Sequence, residues 1–270
     1  MLQKHASKHR QKLTCEDTFT HFCPASSPPT AAFCIADGHC GHETANDIRN
    51  LLPEILTGLL GPTASNGAGP TLADADMQAA LSSTFRSIDQ RVQGQDGSTM
   101  TVLLLRAGEN GTVYIQAANV GDSACVCADF KRMVKYHLTD EHRVTKASEL
   151  ERLRKCRSML THRETRLMGL NLSRSIGDKV LKELNPGLVA DPYISKVHTV
   201  PTGESLLAVI ASDGLWDVTN TDLVMRVAYR VLADHPGDVV LLCEVLMELA
   251  VTRKSQDDIT IAVLDIKSTE

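Results

Sequence analysis

Three apolar runs of strand length follow one another almost without pause in the middle of this chain, and they exclude more folds than any other feature. They are TMTVLLLRA (99–107), GTVYIQAANV (111–120) and SACVCADF (123–130). The link AGENGT (107–112) between the first two carries Asn-Gly, which supplies positive φ cheaply and marks a hairpin. Shorter runs at 31–36, 205–212 and 258–266 read as further strands. Helical apolar spacing appears in pairs, at 42–60 and 72–92, then at 220–234 and 237–254. Pro53 marks a kink or boundary in the first of these helices. Strands in meandering groups with helices in pairs do not make a βαβ alternation. They favour antiparallel sheet with helices packed outside it, an α+β arrangement.

The chain has 270 residues, of which 43% are hydrophobic and only 4% aromatic. One large domain over 1–270 fits that length, with a mainly aliphatic core. The Gly/Pro/Ser-rich stretch 61–71 reads as a surface loop inserted in that domain, since neither side is self-sufficient. A net charge of -5 argues against a dedicated nucleic-acid binder. No stretch of eighteen consecutive apolar residues is present, so no membrane span is expected. The first residues, MLQKHASKHRQK, are basic and lack the apolar core of a secretory signal. The eight cysteines form no CxxC and no regular spacing. They read as reduced thiols of a cytoplasmic protein, with the nucleus a second location.

The carboxylates are placed more tellingly. Asp37 follows the run AAFCIA, Asp213 follows AVIAS, and Asp257 precedes ITIAVL. Glu16 and Asp17 stand before a short extended segment. Acids gathered at one sheet end repel one another and resist desolvation, and stay ionised together only when cations neutralise them. Hard oxygen ligands select Mg²⁺ or Mn²⁺. Gly38 and Gly214 directly follow two of the acids. A glycine there lets the backbone come close to an ion, and its carbonyl can serve as a ligand. Taken singly, each Asp-Gly is an ordinary turn dipeptide.

The ordered set CEDTF, CIADGHCG, GSTMTVLL, ANVGDSA, LTDEH, LSRSIGD, IASDGLWD and SQDDITIAVL resembles the type 2C metal-dependent Ser/Thr protein phosphatases. The likeness runs from about residue 12 to 266, and eight pieces in order are far more specific than any one. The resemblance implies a four-layer αββα sandwich, two antiparallel-rich sheets between pairs of helices. It implies two Mg²⁺ or Mn²⁺ ions, with Asp37 bridging them. Asp213 and Asp257 would complete one site, and Glu16 with the Gly38 carbonyl the other, with Asp17 beside it partly through water. A weaker third ion would use Asp122 and Asp217. A hydroxide shared by two cations would attack phosphorus in line, with no covalent phosphoenzyme. His39 matches the family's general acid. The substrates would be phosphorylated Ser/Thr proteins, and the chain would act as a monomer.

The sequence departs from the family pattern in three places. Lys12 stands where relatives carry a phosphate-gripping arginine, so the charge is kept and the planar fork lost; Arg10 is the nearby alternative. Cys40 replaces a glycine, and the second acid of Asp257-Asp258 replaces an asparagine. Arg174, Gly177 and Asp178 match a motif that is mainly architectural. The segment 143–169 corresponds to the family's helix and flap, and its basic residues read as a solvated face. A zinc site from Cys34, His39, Cys40 and His42 is the metal-binding rival, although such a short stretch rarely closes a tetrahedron. The rival from another class is a pseudophosphatase, a binding module without turnover, resting on Lys12 and Asp258.

Overall fold

Most of the apolar runs do not alternate with polar residues, and the fold shows why: both faces of these strands are buried. The computed structural model describes residues 2–10, 15–26, 28–60, 74–108, 111–156, 158 and 165–268. Lys12, the 61–71 loop and Asn110 of the hairpin link lie outside them, as do 157 and 159–164 of the flap segment.

The chain opens with β1 (Leu2–Arg10), β2 (Asp17–Phe22) and β3 (Thr30–His39), then the helices α1 (Glu43–Leu60) and α2 (Asp74–Arg91). The short β4 (Gly97–Ser98) leads into β5 (Met100–Ala107), β6 (Val113–Val120), β7 (Ala124–Asp129) and β8 (Val134–His137). Then come α3 (Ala147–Lys155), β9 (Ile176–Gly177), α4 (Lys179–Leu184), β10 (Tyr193–Ile194) and β11 (His198–Val200). The chain closes with β12 (Ser205–Ala211), α5 (Asp213–Trp216), α6 (Thr221–Asp234), α7 (Val239–Thr252) and β13 (Ile259–Lys267).

These strands form two antiparallel sheets. One has the order β1-β13-β12-β7-β8, and the other runs β10-β6-β5-β3-β4-β9, with β11 also on β6 and β2 on β3. Side-chain parity assigns the faces. Ala31, Phe33 and Ile35 of β3 meet Leu206, Ala208 and Ile210 of β12 and Leu264 of β13 in a core between the sheets. The alternate residues Ala32 and Cys34 pack outward against Ile48, Leu52 and Leu56 of α1 and Phe85 of α2. Val209, Ala211, Ile261 and Val263 pack on the opposite outside against α6 and α7. The molecule is therefore the helix–sheet–sheet–helix sandwich that the resemblance implied. Each fully buried aliphatic side chain contributes roughly 1.5–3 kcal/mol, and the central strands β3, β5, β12 and β13 supply two rows of buried side chains each.

Three expectations are corrected. Pro53 does not end α1, which continues to Leu60; Leu52, Ile55 and Leu56 are buried on its core side, and that packing outweighs one missing backbone bond. The strand at 31–36 does not stop before Asp37 but runs to His39, because Gly38 and His39 pair with Ser98 and Gly97. The first residues, expected only to be basic, form β1 along β13, with His5 opposite Leu264. Their polar composition suits an edge strand.

Candidate metal centre and active site

Asp17 and Asp37 face each other directly across the β2–β3 ladder, so both carboxylates project from one face. That face is the one carrying Phe33 and Ile35 into the core between the sheets. Asp37 thus continues an inward-facing row to the point where the sheets open. Gly38 permits the crowding around it. A side chain there would bring its Cβ to 2.7 Å from the Glu16 carbonyl oxygen and 2.8 Å from that of Gly41. Instead its N–H donates to the Glu16 carbonyl at 3.1 Å.

The other sheet brings its acids to the same end. The Thr260 N–H donates to Ser212 Oγ at 3.0 Å, and the Ser212 N–H to the Thr260 carbonyl at 3.0 Å. Asp213 and Asp257 sit just beyond this clasp. Gly214 lies against the Asp258 carbonyl oxygen, which a Cβ would strike. The Glu16 N–H donates to Asp258 Oδ2 at 3.1 Å, tying the two sheets together. Asp258 itself is buried, so this acid serves as an acceptor for backbone while adding charge beside Asp17.

The electrostatics follow from this placement. Burial pushes the Asp37 carboxyl well above its usual range, and Asp17, Asp213 and Asp122 reinforce the rise. Burial likewise raises Asp213 to about 8, with Asp122, Asp217 and Asp257 adding to it and Arg143 opposing. Asp17 is raised by burial and by Asp258, against nearby Thr260, Asp37 and Ser212. Neither Asp17 oxygen has a partner of hydrogen-bond geometry, nor does Asp213 Oδ1. Orphaned anionic oxygens are costly, and an all-oxygen donor set offering three of them fits hard divalent cations. Among the described residues, no three His, Cys, Asp or Glu side chains close on a single point; the carboxylates influence one another pairwise. The zinc alternative finds no such convergence either. Cys34 is buried against α1 while Cys40 and His42 are exposed.

Asp122 and Asp217 are brought together, but around a guanidinium. Arg143 Nε donates to Asp122 Oδ2 at 2.7 Å, and its Nη2 binds Asp217 and lies 3.5 Å from Asp213 Oδ2. Burial raises the Asp122 carboxyl, and Arg143 counters it.

His39 is half-buried at the mouth of this cluster, with Nε2 2.8 Å from Asp178 Oδ2. Ser175 Oγ donates to the same oxygen at 2.6 Å. Asp178 adopts a left-handed φ of 50°, and Gly97 packs so closely that a Cβ there would strike both Asp178 Oδ2 and His39 Nε2. Asp178, Gly97 and Arg143 are residues the sequence reading missed as parts of the site. The signal was present in GST, LSRSIGD and DEHR, but nothing in one sequence says which side chain turns toward His39. The backbone of Asp37 is held as well, its N–H donating to Thr99 Oγ1 at 3.1 Å and its carbonyl accepting from the Thr99 N–H at 2.8 Å. Arg174 is architectural as expected, donating to both oxygens of buried Glu149. Glu16 and Asp257 lie beside the cluster, half-buried and exposed respectively, and Lys12 falls outside the described residues.

A sandwich of this order, with acids from both sheets at the end where the sheets open, is the architecture of the metal-dependent phosphatase class. The model of the protein phosphatase 2C family matches residues 2–259, and the chain belongs to that family. Protein phosphatase 2C 70 of Arabidopsis thaliana is 30% identical over 94% of this chain and 44% of its own length. A probable protein phosphatase of Dictyostelium discoideum is 31% identical over 88% of this chain and 23% of its own. The chain thus spans less than half the length of these relatives. Among solved structures, a phosphatase from Toxoplasma gondii superimposes with a TM-score of 0.76 at 18% identity, over 98% of this chain and 92% of that one. A sex-determining protein of C. elegans gives 0.74 at 20% identity, over 97% of this chain and 64% of that one. These two likenesses concern the fold.

Proposed function

We propose that this chain hydrolyses phosphoserine and phosphothreonine in proteins, using two Mg²⁺ or Mn²⁺ ions held by the acidic cluster. The observation that carries the reading is the set of buried, unpartnered carboxylate oxygens on Asp17 and Asp213 beside Asp37. Asp37 would bridge the ions, Asp213 and Asp257 would hold one, and Glu16, Asp17 and the Gly38 carbonyl would hold the other. When bound, the ions supply an ionised water and positive charge for the phosphate. The chain's own residues do the remainder. The two sheets hold the carboxylates rigidly, so little reorganisation accompanies the reaction. Asp178 and Ser175 fix the orientation of His39; as imidazolium it would keep its Nε2–H on Asp178 and pass the Nδ1 proton to the departing serine or threonine oxygen, becoming a neutral imidazole. At Asp122 and Asp217, Arg143 already supplies a positive charge, so a third ion would have to displace it. The eight cysteines, none in a disulfide, suit the reducing cytoplasm and nucleus.

The test is a phosphothreonine-peptide assay with Mg²⁺, Mn²⁺ or EDTA, alongside Asp37→Asn. Metal-dependent turnover abolished in Asp37→Asn is the expected result. Full activity in EDTA would overturn the two-ion reading. Metal binding without turnover on any phosphopeptide would favour the pseudophosphatase instead.

A further inference from the structure

A groove of about 320 Å³ lies between the β7–β8 hairpin and α6, on the outer side of the five-stranded sheet. Phe130, Met133 and Val134 line it from the hairpin, and Met225 and Tyr229 from the helix. Met133 is 72% exposed, Tyr229 48% and Val134 42%, so three large apolar side chains share one surface. Met133 also holds a φ of 55°, a left-handed conformation that costs a residue with a Cβ roughly 1–2 kcal/mol. The hairpin turn between Asp129 and Val134 holds that conformation and leaves the side chain facing water. β8 is the edge of its sheet and leaves one row of main-chain groups to an incoming segment.

The charges around the groove are not balanced. Its two acids are each neutralised, Asp129 by Arg132 at 2.6 Å and Asp222 by Lys135. Arg226 and Arg230 also line it, one turn apart on the exposed side of α6. Neither has a carboxylate within ion-pair distance among the described residues. An apolar floor rimmed by two guanidinium groups, of which Arg226 feels the Asp222 carboxylate without pairing with it, complements a segment in which an apolar side chain neighbours carboxylates.

The Asp222 end of the groove lies toward the acidic cluster, while its hairpin end is at the far end of β7, opposite the β12 end remote from Asp213. Asp222 lines it and follows Asp217 by five residues, so their Cα atoms are within about 18 Å even for a fully extended chain. One polypeptide can therefore occupy the groove and present a phosphorylated residue to the cluster.

We propose that this groove docks substrate phosphoproteins, seating a segment with an apolar anchor followed by acidic residues, remote in sequence from the phosphorylated residue. The assignment of the occupant as substrate rests on the phosphatase reading above. Binding of the segment does not depend on it.

The probe is a fluorescent, unphosphorylated peptide carrying Leu-Phe followed by four Glu, measured by anisotropy on the whole chain in EDTA. The companion is Arg226→Glu/Arg230→Glu, a surface change far from the core. Tight binding weakened about tenfold or more by the double variant is expected, with affinity falling as salt rises. A second arm appends the same segment, through a flexible linker, to a phosphothreonine peptide. The appended segment should lower KM about tenfold in the wild type and not in the variant, with kcat unchanged and aryl-phosphate turnover equal in both. Failure of the peptide to bind, or equal binding to the variant, overturns the groove as a docking site. Binding without any change in KM overturns the substrate assignment and points to a regulatory partner. Absence of all turnover with intact, arginine-dependent binding overturns the phosphatase reading and leaves the groove standing.

Discussion

Cys40 sits at φ 62° with its side chain exposed, directly after the residue that Asp178 grips. Glycine accepts that conformation without the Cβ clash that costs other residues roughly 1–2 kcal/mol, which is the physical reason relatives place glycine there. Cys40→Gly should therefore leave turnover intact and raise stability by up to about 1 kcal/mol, part of the gain being offset by glycine's greater unfolded-state entropy. Chemical denaturation measures it; a clear loss of stability would mean that the cysteine packs. At the neighbouring position, His39→Ala and Asp178→Asn should both lower kcat on phosphoserine peptides far more than on an aryl phosphate. An aryl leaving group hardly needs a proton, and general-acid help is worth about 10²–10⁴-fold. Equal losses on both substrates would make the pair structural. The pairing itself was not legible in the sequence. His39 and Asp178 are separated by 139 positions, and only the β3–β4–β9 ladder brings them together.

At the scale of an element, α3 is held down by one buried acid. Glu149 is 2% exposed and bonded by Arg174, Arg152 and Ser173. Burial alone would raise its carboxyl, but those bonds outweigh it and hold it at about 2. His142 on the adjoining turn is driven the other way in charge: burial, with Arg174 beside it, pushes its imidazole down to about 3. Unfolded, the two groups would titrate near 6.5 and 4.5. Both folded values are depressed, so the unfolded chain binds more protons in between. Stability from this region is thus complete above about pH 6.5 and falls as the pH drops toward 3 for His142 and from 4.5 toward 2 for Glu149. Glu149→Gln should cost about 3–5 kcal/mol at neutral pH by leaving two arginines poorly paired. It should also flatten the loss between pH 4.5 and 2, read by urea titration at several pH values. A pH dependence identical to wild type would show that the carboxylate is not what the arginines hold. The sequence marked this segment as helix with a solvated basic face; only packing reveals that two of its charged residues face inward.

For the molecule as a whole, the two sheets are pressed together at an end where like charges meet. Without cations the arrangement opposes its own folding. The Asp213 carboxyl titrates near 8 when folded, against 3.8 unfolded, so the folded state binds more protons in that window. Its contribution therefore weakens as pH rises from about 4 to 8. Metal-free Asp213→Asn should be more stable than the wild type, by more at pH 8 than at pH 5, and should gain less from added Mn²⁺. Differential scanning calorimetry with and without Mn²⁺ checks both; a variant that melts lower than the wild type at pH 8 without metal would contradict the strained cluster.

The sequence by itself determined a good deal of this protein. Uninterrupted aliphatic runs of strand length are buried on both faces, and hairpin-scale links leave them antiparallel, so antiparallel sheet with helices outside it follows from pattern, while the pairing of two such sheets was implied only by the family resemblance. The acids at the ends of the apolar runs were legible as a set, although β3 carries on past Asp37 to His39 and burial reaches that carboxylate. What only the tertiary structure decided is which distant residues share that water-facing end. Asp17 opposite Asp37, Arg143 between Asp122 and Asp217, and Asp178 on His39 are consequences of strand register and sheet stacking. Register is settled by the summed burial of whole strands, a non-local quantity that no short stretch of sequence contains. The strand β1 shows the converse: nine polar-rich residues with no strand pattern of their own become one because β13 offers them an edge.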